Sequence, residues 1–231
     1  QPPSCTLHIS SSLPISSGLG SSAALSIAIS RALSEFLGHP LDLEVINRIA
    51  YECETLAHGR SSGIDNTVIT YEKPIYFQKK QGFEFIRPGR QVTFVLADSG
   101  VHKSTRETVS RLAESFENDP AEIQPKLVEI GRLADQGKRA LVDGSIENLA
   151  SAINRNQSIL SALDLSCPEL DYLIENAMQA GALAAKLTGG GKGGHMLALV
   201  EEDSLQAVLD TLQVLSFGKA FFTSVKPGEI Y

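Results

Sequence analysis

The chain has no tryptophan and only three cysteines, Cys5, Cys53 and Cys167. An odd number of thiols so widely spaced excludes a disulfide framework and a zinc site built on paired cysteines. They read as reduced thiols of a cytoplasmic protein, with Cys53 on the apolar face of a helix. No apolar run reaches the roughly 20 residues that span a bilayer, and the first residues lack the apolar block of a secretory signal. A positive excess is also missing, since 20 Lys and Arg against 27 Asp and Glu leave a formal net charge of −7. That balance argues against dedicated binding to nucleic acid or to an anionic membrane, but it leaves room for a local anion site. The opening "QPPSCTLHIS" starts on Gln1 and reads as mid-sequence, so a processed or truncated piece is expected.

Enough apolar residues are present, 42% of 231, to bury one large core or two smaller ones. Alternating Leu7 and Ile9 predict a short strand ending at Pro14. Ser21 or Ser22 is expected to cap a helix whose apolar residues are Ala23, Ala24, Ile27, Ala28, Ala32 and Phe36, with Gly38 closing it. A second helix, capped by Asp42, carries a stripe of Val45, Ile46, Ile49, Ala50, Cys53 and Leu56 or Ala57. "HGRSSGIDN", residues 58–66, reads as a loop.

Strand-like "KPIYFQK" and "GFEFIRPG" follow with a turn at 81–82, and "RQVTFVLAD" reads as a strand buried on both faces. The segment 81–90 is the candidate boundary, giving domains 1–88 and 89–231. Helices are expected at 104–116, 121–142, 146–163 and 168–181. Then come strand "LAAKL", the run "TGGGKGG", strand "HMLALV", helix "SLQAVLDTLQVL" and strand "AFFTSV". This order predicts an α+β sandwich with helices on one face of a mainly antiparallel sheet.

Two stretches match G-x-G-x-x-G/A, at residues 18–23 and 189–194. A dinucleotide fold needs a second strand with a terminal acid after the first helix, and here a second helix follows instead. The later match sits between two adjacent strands with no helix after it. No Gly-Lys-Ser/Thr occurs, so a Walker A loop is excluded too.

What remains in "PISSGLGSSAALSIAIS" is a pair of glycines that admit tight backbone turns, followed by two hydroxyls at a helix mouth. That pattern fits either a plain capped helix or an anion cradle. Five glycines within 189–194 exceed what a hairpin turn needs and point to a second backbone cradle. Glu54, late in its helix, is poorly placed against the helix dipole, so it either faces solvent or meets a positive partner such as Mg²⁺. Asp65 follows in the loop and reads either as an Asx-turn residue or as a second acid brought to the same point.

Taken in order, "PISSGLGSSAA", "ETLAHGRSSGIDN" and "KLTGGGKGG" resemble the GHMP kinase family, over nearly the whole chain from Leu13 onward. The middle segment is similar to that of the branch that phosphorylates mevalonate. The resemblance implies a two-domain α+β fold: an N-terminal part like domain 2 of ribosomal protein S5, incomplete here, and a C-terminal ferredoxin-like α/β sandwich. It implies transfer of the γ-phosphoryl group of ATP, with Mg²⁺, to the primary hydroxyl of mevalonate. Ser17, Gly18, Leu19, Gly20, Ser21 and Ser22 would hold ATP, Ser22 and Glu54 the metal, and Asp65 the reacting hydroxyl. His58, Gly63, Lys103, Thr105, Thr188, Gly189, Gly190, Gly191 and Lys192 would support substrate or phosphate.

Two features depart from the family pattern. Its upstream lysine segment is not in the sequence, and Lys192 and His195 stand where a small residue and a cysteine are usual. Phosphomevalonate, homoserine or a sugar as substrate, and a non-catalytic ligand-binding homologue, are the alternatives. A homodimer is compatible with the resemblance.

Overall fold

Within residues 4–11, 19–58, 61–101, 105–216 and 219–227, which the computed structural model describes, the chain first forms three packed helices. These are α1 (Ser21–Phe36), α2 (Leu43–His58) and α3 (Ile64–Tyr71). The N-cap of α1 is Gly20, in a left-handed conformation at φ 71°, with no side-chain cap bond. Neither serine caps the helix, in contrast to the expectation. The cap position demands positive φ, which glycine adopts without strain, so Ser21 and Ser22 become the first helical residues. Gly38, at φ 74°, follows the C-terminal end as expected.

Ile27 meets Ile46 and Ala50 of α2 and Ile69 of α3. The buried stripe is narrower than the periodicity predicts. Ala28, Ala32 and Cys53 are exposed, as are Phe36 and Leu56. On α2 the buried face runs Ile46, Ala50, Glu54 at four-residue spacing, so the carboxylate takes the place expected for Cys53.

Two further expectations fail nearby. Residues 4–11 form no strand, because a strand exists only through a partner's hydrogen bonds, and Leu7 and Ile9 lie exposed with no sheet to cover. The loop expected to run to Asn66 ends earlier, where Gly63 at φ 89° starts α3. The β-branched residues Ile64, Thr67, Val68, Ile69 and Thr70 hide this short helix from propensity.

After the hairpin β1 (Ile75–Gln78) and β2 (Gly82–Phe85) come β3 (Val92–Asp98), α4 (Thr105–Asn118) and α5 (Pro120–Asp143). The remaining elements are α6 (Ile146–Ala162), α7 (Pro168–Gln179), β4 (Ala184–Leu187), β5 (His195–Val200), α8 (Glu202–Leu215) and β6 (Ala220–Val225). All match the sequence reading to within a few residues. The hairpin turns where expected, Gln81 N donating to Gln78 O at 2.9 Å. It docks on α5 through the Tyr76 hydroxyl to Asp135 and Lys138 to Glu84. The Lys138 ammonium also lies 4.8 Å from the Tyr76 ring centroid.

The four-stranded sheet has the order β4-β5-β3-β6, and every pairing is antiparallel. With helices between β3 and β4 and between β5 and β6, this is the split, ferredoxin-like arrangement. Because side chains alternate across the pleat, Val95, Ala97, Ala185, Leu187, Met196 and Ala198 face one side with Leu170 and Leu173 of α7 and Val208 and Leu212 of α8. Val92, Ala184 and Leu199 face the other, under Ala140 of α5 and Ile146, Leu149 and Ile153 of α6. Helices therefore cover both faces, not one. The unalternating "VTFVLA" of β3 required this, since each large apolar side chain buried adds ~1.5–3 kcal/mol on whichever face it lies.

Among the described residues, no helix is long and apolar enough to cross a membrane.

Candidate active site

Gly20 is the point where the first glycine motif meets the carboxylate loop. A Cβ placed on it would lie 3.5 Å from the Asp65 Cβ, 3.6 Å from its Cγ and 2.8 Å from Ile69 Cδ1. With φ at 71°, a side chain here would be strained and would have to displace the tip of Ile69. The first turn of α1, whose N-cap glycine supplies no side-chain cap bond, thus starts directly beside Asp65. The N–H groups of a helix start and the positive end of its dipole suit an anion there. Leu19, Ser21 and Ser22 are all half-buried around this mouth.

Asp65 lies in the first turn of α3. Its carboxyl is held above the ordinary 3.8, first by loss of hydration and second by the negative charge of Glu54. Its side chain still touches water. The two facts agree for an exposed carboxyl with water on one side and neighbouring protein, Glu54 included, on the other. Glu54 itself is 8% exposed on α2, so the structure brings the two acids within electrostatic reach. Gly63, at φ 89°, sets the start of α3, and a Cβ placed on it would lie 3.1 Å from Phe77 Cζ of the hairpin.

The second glycine motif is held by the C-terminal sheet. Thr188 N donates to His195 O at 3.0 Å, closing the run's two ends. Lys192 N donates to Leu165 O and Gly194 N to Val101 O, each at 2.7 Å. A Cβ on Gly193 would sit 2.2 Å from Val101 O, so close backbone packing, and not turn geometry alone, requires glycine there. Gly189 and Gly190 carry neither of these anchors, and Gly189 is exposed. Lys192 adopts φ 60°, and its ammonium pairs with Asp164 at 2.5 Å. His195 is buried, its ring 6.5 Å from that of Phe221, as a packed residue.

Comparison with known proteins identifies this pair of motifs. "GHMP kinases N terminal domain" matches residues 2–73 and "GHMP kinases C terminal" matches residues 138–214. The mevalonate kinase of Aeropyrum pernix is 34% identical over 222 residues, covering 95% of this chain and 68% of that protein. The chain belongs to the GHMP kinase family. The mevalonate kinase of Thermococcus onnurineus is 35% identical over 225 residues, 95% of this chain and 66% of the relative. This chain therefore spans about two thirds of the length of such relatives. The crystal structure of L. major mevalonate kinase in complex with R-mevalonate superposes with a TM-score of 0.84 at 30% identity, covering 92% of this chain and 67% of that one.

Of the GHMP kinase positions named from sequence, Ser17, Gly18 and Lys103 lie outside the described residues. So do the side chains of His58, which ends α2, and Thr105, which opens α4. Gly20, Asp65 and Glu54 come together. The described backbone and ion-pair contacts of 188–194 include Ser99, Val101, Asp164, Leu165 and His195, all of which follow the start of β3.

Sequence reasoning missed Asn47, Asn66 and Thr67. Asn66 Nδ2 donates to Asn47 Oδ1 at 2.6 Å, and the Thr67 hydroxyl donates to Gly63 O at 2.6 Å. The signal was present: Asn47 is a polar residue next to Ile46 on the buried side of an amphipathic helix.

Proposed function

We propose that this GHMP kinase transfers the γ-phosphoryl group of ATP to the primary hydroxyl of mevalonate, giving 5-phosphomevalonate. The observation that carries the reading is the apposition of Gly20 and Asp65, which sets the phosphate-binding helix mouth and a carboxylate at one point. The names of the relatives at 34–35% identity point to the same substrate.

In this reading the loop 17–22 and the first turn of α1 receive the phosphates. Asp65 accepts the hydroxyl proton or orients the hydroxyl, and its raised pKa makes it a stronger base than an ordinary aspartate. Phosphoryl transfer needs positioning and charge neutralisation more than covalent help, which suits a site of amides and carboxylates.

The donor set fits Mg²⁺, a hard cation usually held by one or two carboxylates or hydroxyls plus substrate phosphates. Glu54, a buried carboxylate, and Ser22, in the first turn of α1, would hold it. When bound, the ion offsets the charge that develops on the transferring phosphoryl oxygens. Residues 189–194 would close over the phosphates from the second domain, with Thr188 and Lys192 fixing that loop. The domains meet near residue 88, as 1–88 and 89–231.

The test is ADP release in a coupled assay with ATP, Mg²⁺ and mevalonate, comparing the chain with Asp65→Asn. Turnover that needs mevalonate and falls ~10²–10⁴-fold in the variant is expected. Turnover unchanged in Asp65→Asn would remove Asp65 from the chemistry.

A further inference from the structure

Asn47, Asn66 and Thr67 surround the start of α3 but have no part in the reaction proposed above. Asp65 sits at the start of an eight-residue helix, entered through a left-handed glycine and flanked by serine turns. So short a helix has little stability of its own. Its first turn is held instead by polar contacts of Asn66 and Thr67 to Asn47 of α2, the shortest of them from Asn66. Asn66, 2% exposed, donates from Nδ2 to Asn47 Oδ1 at 2.6 Å. Thr67, 3% exposed, reaches back to Gly63 O at 2.6 Å.

Asn47 lies seven residues before Glu54, two turns along the same face of α2. One helix face thus carries both the acid that faces Asp65 and the amide that anchors the residue next to Asp65. Buried amide pairs of this kind hold a geometry strongly, because each group stranded on separation loses its partner without regaining water.

We propose that Asn47 and Asn66 form a pin that positions Asp65, setting its carboxyl against Glu54 and against the helix mouth at Gly20. The inference rests on the reading of Asp65 as the group that handles the substrate hydroxyl. Asn47 and Asn66 are positioning residues, acting through the first turn of α3.

The test compares mevalonate-dependent turnover of the full chain with that of Asn47→Leu, Asn66→Ala and the conservative Asn47→Asp, which keeps an acceptor oxygen toward Asn66. Thr70→Val is the control. Thr70 lies on the same helix, 1% exposed, and its hydroxyl has no partner among the described residues. Asn47→Leu and Asn66→Ala are expected to lower kcat ~10²-fold, as a misplacement of about 1 Å does, with KM for ATP within roughly twofold. Amide hydrogen exchange at residues 64–67 should rise in the same two variants. Asn47→Asp should recover most of kcat, and Thr70→Val should leave it unchanged.

A loss shared equally by Thr70→Val, or a kcat retained in Asn47→Leu at full folding, would overturn the pin while leaving the role of Asp65 intact. Asn47→Asp as impaired as Asn47→Leu would also overturn it. Absence of mevalonate-dependent turnover in the unsubstituted chain, or its persistence in Asp65→Asn, would instead end the functional reading, and the pin with it.

Discussion

Asp65 is held ionised at a thermodynamic cost. Its pKa in the folded chain lies above 3.8, so folding binds its proton more tightly than the unfolded chain does. The folded state is therefore favoured by this group below pH 3.8, and that advantage is lost as pH rises through the folded pKa. At neutral pH the ionised carboxyl opposes folding. Asp65→Asn is thus expected to raise Tm at pH 7 and to leave it nearly unchanged near pH 3, while it removes turnover. Equal Tm shifts at both pH values would contradict the stated cause. Lys186 presents the converse case. Burial lowers its pKa to about 8, and Nζ donates to Leu187 O at 2.7 Å. The penalty of carrying the charge is full below pH 8 and fades as pH rises toward the ordinary 10.5. Lys186→Met is expected to stabilise the chain by ~1–3 kcal/mol at pH 7, a gain that shrinks above pH 8 in denaturant titrations. A gain independent of pH would mean that packing, and not charge, explains it.

Among elements, α6 and β4 show how the sequence closes an open sheet edge. β4 pairs with β5 on one side only, and its other edge faces α6. Asn154 Oδ1 accepts from Ala185 N at 3.2 Å, Asn154 Nδ2 donates to Leu183 O at 3.2 Å, and Gln157 Oε1 accepts from Leu187 N at 2.9 Å. Two amide side chains one helical turn apart thereby take the place of a neighbouring strand, and the edge offers no free template for another chain. Gln157→Leu leaves Leu187 N without a partner and is expected to cost ~1–3 kcal/mol in urea unfolding. A cost below about 0.5 kcal/mol would show that water replaces the bond. The polar run "NRNQ" on an amphipathic helix was visible in the sequence. Its purpose was not, because the spatial neighbour of α6 is 30 residues away along the chain. The same limit explains the two-face packing: an apolar strand shows that both faces are buried, but not which helices bury them. It also explains α3, where β-branched residues mask a helix that α1 and α2 stabilise by packing.

Across the whole molecule, the order of three motifs was legible because each has a local physical reason. Glycines appear where φ is positive or backbones approach closely, as at Gly20 and Gly193, and those demands fall on single residues. The apposition of Asp65 with Glu54 was one of two readings the residues allowed, whereas that of Gly20 with Asp65 depended on how three helices pack and could only be expected from family resemblance. Cys53 illustrates the error of periodicity alone. Periodicity places it in the buried stripe, whereas Glu54, the next residue, occupies that position.

The central claim is that the phosphoryl group moves from ATP to the primary hydroxyl of mevalonate. The most direct measurement is the ³¹P spectrum of the product formed by this chain with ATP, Mg²⁺ and mevalonate. The account predicts a new phosphomonoester resonance, split into a triplet by the two protons of the adjoining CH₂ group and absent with Asp65→Asn. Inorganic phosphate as the only new species besides ADP, or an ester signal without that triplet, would contradict it.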